Sequence, residues 1–364
     1  MDQIKQDVPF KIGVLQLSME PLDETVRMAK ACEQAGFDIF WLAEAYPWWR
    51  KHGYEARSST AITAVIARET KRIQIGWGII SPYTRHPVQI AMEARVLQDA
   101  AGDGRFLLGL GASKIFMKEI GEGEKGKEVG PATVMKESLE IVKAMLSGEE
   151  VNYHGKAFDA SAPALKPEAH VSRKSVPMYI AGTGPAMQRL AGSHSDGLLT
   201  ASITTPEFVK YSRRNMEEGA RKAGREPSAV SVMVAAPAHI GPRDKVRDRV
   251  RWFPALVSNH VVDLVKRYGE KGLPADLTAY VRNRPGYDYQ HHAESGSSNA
   301  AFVDDESVDR FCVTGEIAEH IEKLRHLAAI GVRQFNIYLM SGEEERILEL
   351  YGERIIPALS GVTA

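Results

Sequence analysis

At 364 residues the chain is long enough for one large domain or two ordinary ones, and α/β barrels run past 250 residues as a single unit. Hydrophobic residues make up 44% and charged residues 26%, so the chain can bury a full core and is not intrinsically disordered. The 46 Lys and Arg balance 47 Asp and Glu, which excludes the cationic excess of a generic nucleic-acid or anionic-membrane binder.

Short apolar runs alternate with stretches of helical spacing along most of the sequence. Residues 10–17 (FKIGVLQL) read as a buried strand, and 21–36 as an amphipathic helix stopped at Gly36. A strand follows at 38–44, a helix with a Ser or Thr cap at 58–70, a strand at 73–80 and a proline-started helix at 87–101. The next units are a strand at 105–111 and a helix at 133–146, then 176–182 with 184–192, and 196–201 with 207–224. The last are 230–240, a helical stretch near 242–268, and a helix at 317–331 leading to a strand at 335–340. Alternation at this cadence means parallel strands joined by crossover helices. About eight such units suit an α/β (β/α)8 TIM barrel spanning residues 1–364 as one domain, although an open doubly wound sheet shares the pattern.

Two segments break the rhythm. Residues 114–130 are rich in glycine and charge, and roughly 255–312 are polar and lack a sustained period, as in an insertion or lid over one barrel face. Cys32 and Cys312 stand far apart and without ligand-spaced neighbours, which excludes a disulfide scaffold or a CxxC metal site. No uncharged apolar run approaches the roughly 18 residues of a membrane span, and the first residues carry no signal-peptide core. The expectation is a cytoplasmic protein with two free thiols, a small-molecule substrate and no metal.

In a closed barrel the reactive groups belong at the C-terminal strand ends. Those junctions hold Glu44, Tyr46, Pro47, Trp48 and Trp49 after the second strand, and Gly78, Ile79 and Ile80 at the third. Gly111, Ala112, Ser113 and Lys114 follow the fourth; Ala181, Gly182, Thr183, Gly184 and Pro185 follow the fifth. Small residues and aromatics let a flat ring and a phosphate approach the backbone closely, and they make no hydrolase set. Residues 181–190 (AGTGPAMQRL) also put small residues at a helix start, where unpaired N–H groups favour a phosphate. A plain strand-to-helix turn would use the same glycines.

Three segments, 76–87 (GWGIISPYTRHP), 97–113 (LQDAAGDGRFLLGLGAS) and 179–199 (YIAGTGPAMQRLAGSHSDGLL), resemble the luciferase-like flavin and deazaflavin superfamily. PYTRHP resembles the branch of F420-dependent methylenetetrahydromethanopterin reductase and F420-dependent glucose-6-phosphate dehydrogenase. The likeness runs from about residue 10 to 240 and resumes at 306–340. It implies a non-prolyl cis peptide at Gly78–Ile79 backing the cofactor ring, and Glu44 hydrogen-bonding that cofactor. It implies cofactor contacts at Ala112, Ser113, Ala181, Gly182, Thr183, Gly184 and Pro185, and catalytic candidates Glu44, Tyr46, Trp48 and Lys114. Three departures tell against sugar-phosphate oxidation: Ala45 replaces a histidine, Lys114 a glutamate, and 200–208 lack a phosphate-gripping lysine.

The resemblance therefore implies a homodimeric oxidoreductase moving a hydride between coenzyme F420 and a small organic substrate, most like a methylene-tetrahydropterin reductase. One alternative is an FMN-dependent monooxygenase using reduced flavin and oxygen, and another a non-enzymatic barrel of the same superfamily. Arg85, Lys114 and Lys118 suggest a basic channel suited to the acidic F420 tail. His291 and His292 reach the site only if the 255–312 segment folds over it.

Overall fold

Runs rich in Ile, Val, Leu and aromatic residues form strands whose side chains alternate between two apolar environments. The computed structural model describes residues 8–44, 55–112, 129–166, 176–200, 203–282, 284–291 and 293–364. Its strands are β1 (Lys11–Leu17), β2 (Ile39–Ala43), β3 (Gln74–Trp77), β4 (Phe106–Leu110), β5 (Val151–His154), β6 (Asp159–Ala162), β7 (Met178–Ala181), β8 (Gly197–Leu199), β9 (Ser231–Ala236), β10 (Ala238–Ile240), β11 (Val313–Gly315) and β12 (Gln334–Tyr338). The helices are α1 (Leu22–Gln34), α2 (Ser59–Glu69), α3 (Pro87–Ala101), α4 (Pro131–Ser147), α5 (Pro185–His194), α6 (Pro206–Lys222), α7 (Arg243–Val250), α8 (Trp252–Tyr268), α9 (Ala275–Val281), α10 (Asp305–Phe311), α11 (Ile317–Ala329), α12 (Glu344–Leu350) and α13 (Ile356–Ala358).

Eight strands close in the order β1-β12-β9-β8-β7-β4-β3-β2, every pair parallel. This is the expected (β/α)8 barrel, and closure settles the choice against an open sheet. Ile12, Val14, Phe40, Ile75 and Phe335 face the helices, where they join the larger apolar core. Leu15, Leu17, Ile39, Trp41, Leu107, Tyr179 and Met233 fill the barrel interior. Trp41 is fully buried there and meets Tyr179 edge-on, with ring centroids 5.2 Å apart. Room for the indole comes from Gly76, where a Cβ would stand 2.3 Å from the Trp41 ring. Large and small residues thus interdigitate to make a packed core with no pore.

Helix starts follow the sequence signals. Ser58 Oγ accepts from the Ala61 N–H at 3.4 Å, and α3 begins at Pro87 behind a His86 cap. Other stretches differ from expectation. The run 230–240 is two strands, because Pro237 has no N–H for a ladder, and β10 leaves the barrel to pair with β11. The stretch 242–268 is likewise two helices. A hairpin of β5 and β6, absent from the periodicity reading, is tied down by one buried carboxylate: Glu137 accepts from the N–H groups of Lys156, Ala157 and Phe158 at 2.8, 2.8 and 3.1 Å.

The proposed insertion boundary at 255 falls inside α8, whose Leu256, Val257, Val261 and Leu264 are buried in the main core. The segment's first quarter is therefore core helix and not aperiodic loop. The helical stretch predicted near 242–268 overlaps the start of the predicted insertion, and the structure follows the helical spacing as far as Tyr268.

Candidate active site

The C-terminal ends of β2, β3, β4 and β7 lie side by side at one mouth of the barrel. The Gly78–Ile79 peptide is cis, as the resemblance implies. The strands stay joined around it: Gly78 N–H donates to the Leu42 carbonyl at 3.0 Å, and Glu44 N–H to the Ile79 carbonyl at 3.3 Å. A Cβ at Gly111 would stand 2.7 Å from the Ile79 side chain and 3.3 Å from the Ala181 Cβ, so the Ile79 side chain lies against the bare Gly111 backbone, close to Ala181. Gly78, Ile79, Ala112, Ala181, Gly182, Thr183, Gly184 and Pro185 are all half-buried while the strand residues behind them are mostly buried. The sequence-chosen contacts thus form one partly open arc of small residues over an apolar floor.

At the end of that arc, Gly184 precedes α5, and no side chain caps the helix. Its backbone is braced from behind by Gln188, which is fully buried. Gln188 Nε2 donates to the Thr183 carbonyl and to Ser212 Oγ, each at 2.9 Å, while its Oε1 accepts from Asn215 Nδ2 at 2.9 Å. A turn fixed in this way aims uncapped N–H groups outward, which suits a phosphate. The residues present therefore fit a flat ring and a phosphate: a half-buried arc of mostly small residues, with the Ile79 side chain at its floor, ending at an uncapped helix start.

Glu44 follows β2 at the opposite end of the arc and is 8% exposed. Arg85 grips it with both terminal nitrogens, Nη1 to Oε2 at 2.7 Å and Nη2 to Oε1 at 2.6 Å, and Ser59 Oγ donates to Oε1 at 3.2 Å. Arg85 Nε is 3.5 Å from Glu93, which also accepts from Thr60 and Gln89. The sequence reading gave Arg85 to a channel for the acidic tail; here it forms a shielded ion pair with Glu44 instead. The signal was in PYTRHP, but pairing an arginine with an acid 41 residues away needs the tertiary fold.

The rest of PYTRHP is also scaffolding. Thr84 Oγ1 donates to the Ser81 carbonyl at 3.0 Å, and Tyr83 is buried beside Val134. The two His86 ring nitrogens lie 3.3 Å from the Val88 N–H and 3.2 Å from the Asp159 carbonyl of the hairpin. Tyr46, Trp48, Ser113, Lys114, Lys118 and His292 lie outside the described residues. His291 is exposed and bonded to Asp288 at 2.8 Å. Tyr268, from the end of α8, was not anticipated: a Cβ at Gly184 would stand 2.8 Å from its hydroxyl oxygen, so the later segment supplies a wall beside the turn.

No described helix is long and apolar enough to cross a membrane, and no described group of His, Cys, Asp and Glu could hold a metal. A family model described as luciferase-like monooxygenase matches residues 8–334. The chain is 28% identical to 5,10-methylenetetrahydromethanopterin reductase of Archaeoglobus fulgidus, covering 91% of this chain and 94% of the relative. It is 24% identical to F420-dependent glucose-6-phosphate dehydrogenase of Nakamurella multipartita, covering 92% of each. Among solved structures, the coenzyme F420-dependent tetrahydromethanopterin reductase of Methanopyrus kandleri superposes with a TM-score of 0.77 at 24% identity, over 96% of this chain and 99% of that one.

Proposed function

Because the chain belongs to the luciferase-like monooxygenase family, we propose that it is an F420-dependent oxidoreductase acting on a small organic substrate of the methylene-tetrahydropterin type. The observation that carries this reading is the half-buried arc from Gly78 to Pro185, ending at an uncapped helix start. The reductase of Archaeoglobus fulgidus, similar over nearly the whole length, supports the cofactor and the substrate class. When bound, F420 supplies a hydride carrier, and the protein's part is to bind, orient and exclude water.

In this reading Ile79 and Ala181 flank the ring, Gly182, Thr183, Gly184 and Pro185 receive the phosphate, and Ala112 and Ser113 line the edge between them. Glu44, kept in place by Arg85, orients the ring's polar edge. The family resemblance assigns the remaining catalytic roles to Tyr46, Trp48 and Lys114. The stretch 203–208 supports the exclusion of sugar phosphate: Thr204 Oγ1 is turned inward to the Phe311 carbonyl at 2.9 Å, and no lysine stands there.

Fluorescence titration of the purified protein with F420 and with FMN tests the proposal. Saturable F420 binding, with turnover of F420H2 on a tetrahydropterin panel, is the expected result. FMN binding alone identifies a flavin monooxygenase, and binding of neither identifies a non-catalytic barrel.

The free, buried thiols of Cys32 and Cys312 suit a reducing cytoplasm. We place a homodimer contact on α2 and α3, where Met92 and Val96, one turn apart, are 54% and 61% exposed and Val65 lies on the neighbouring helix. Met92→Glu/Val96→Glu should convert a dimer to a monomer by light scattering. A wild-type monomer at micromolar concentration refutes the contact.

A further inference from the structure

Beside the phosphate turn lies a groove that the ring and phosphate do not use. It has a volume of about 690 Å³ and runs between the first turns of α6 and the turn 272–276. Glu207, Lys210, Tyr211 and Arg214 form one wall, with Leu273, Pro274 and Asp276 opposite. α6 starts just beyond the end of β8, so its first turns lie at the same barrel mouth as Gly184. Tyr268 connects the two places, since its ring packs on Gly184 and its hydroxyl acts electrostatically on that of Tyr211 in the groove wall. Burial raises the Tyr211 hydroxyl above its ordinary pKa, and the neighbouring Tyr268 adds to the shift.

The groove's charges are unequally committed. Its two acids, Glu207 and Asp276, both pair with Arg310. Lys210 and Arg214 are exposed, and no described acid pairs with either. Arg214 is held over the Tyr211 ring at 5.7 Å, which fixes the guanidinium while leaving its donors outward. Arg310, Lys210 and Arg214 set three cations against the two acids, so the groove carries a small net positive charge, concentrated on the α6 wall where Lys210 and Arg214 stand.

We propose that this groove binds the oligoglutamate tail of F420, Lys210 and Arg214 taking its carboxylates; the inference rests on the F420 reading above. A guanidinium on a rigid ring is suited to bidentate carboxylate recognition, and a lysine four residues earlier lies one helical turn away on the same wall. The site is selective for the tail, because a cofactor ending at its phosphate does not reach it.

The test compares wild type with Lys210→Glu/Arg214→Glu in fluorescence titrations, using F420 with its glutamates and the same deazaflavin phosphate without them. In wild type the glutamylated form should bind more tightly, and its advantage should shrink as salt is raised. The double variant should lose about tenfold or more for the glutamylated form, about 1.4 kcal/mol, and keep its affinity for the glutamate-free form. The substituted side chains are exposed, so an unchanged melting curve is expected alongside. Equal wild-type affinity for both forms, or equal loss of both in the variant, overturns the groove and leaves F420 dependence standing. Failure of wild type to bind either form overturns the cofactor reading and the groove with it.

Discussion

Replacing Arg85 with Met should lower stability by about 3 kcal/mol, seen as a lower urea midpoint. The Glu44 and Arg85 side chains are only 6% and 15% exposed, so solvent screens this pair far less than a surface one. Removing the guanidinium leaves a shielded carboxylate that has lost its bidentate cation while keeping the Ser59 hydroxyl, and breaking a buried pair from one side typically costs about 3–5 kcal/mol. Arg85→Met/Glu44→Leu should recover much of that loss, because the shielded carboxylate at position 44 is removed together with its cation, and Glu93 keeps its bonds to Thr60 and Gln89. A cost within about 0.5 kcal/mol of wild type for the single variant would show that the pair is solvated and contributes little.

Ala181→Phe should weaken F420 binding by about a hundredfold, or about 2.7 kcal/mol, while the fold is retained. Ala181 is half-buried at the middle of the arc, its Cβ 3.3 Å from where a Gly111 Cβ would stand, so a phenyl ring must project into the mouth. Gly78→Val is the less selective probe. A Cβ there meets the Trp41 Cβ at 3.1 Å, so valine would displace the indole that fills the barrel and confuse lost binding with lost packing. Full affinity in a folded Ala181→Phe protein refutes a ring seated against this arc.

Much of the barrel was legible because its strands and helices alternate with clear apolar periods and local caps. The helix 87–101 is found at its predicted bounds, Pro87 giving one end and Gly102, at φ +86°, the other. Legibility failed where an element is brief or a helical run is broken. The hairpin strands are four residues each and depend on Glu137, an acid outside the hairpin; the predicted helical stretch 242–268 concealed a break into two helices at Arg251. In the site, the turn at 182–185 could be read from composition because glycines and a helix start carry local meaning. The Glu44–Arg85 pair and the approach of Tyr268 to Gly184 could not, since each is a contact across elements far apart in the chain.

The PYTRHP turn consists of braces: Tyr83 pins a helix, Thr84 closes its own bend, Arg85 clamps an acid, and His86 joins a cap to a hairpin. Each of these interactions joins one part of the chain to another. A signature made of fasteners says which machine frame is present and is indifferent to what the machine processes. Chains sharing the hexapeptide are thereby free to diverge in the molecules they transform, and their chemical differences should be sought in the loops that the frame holds apart.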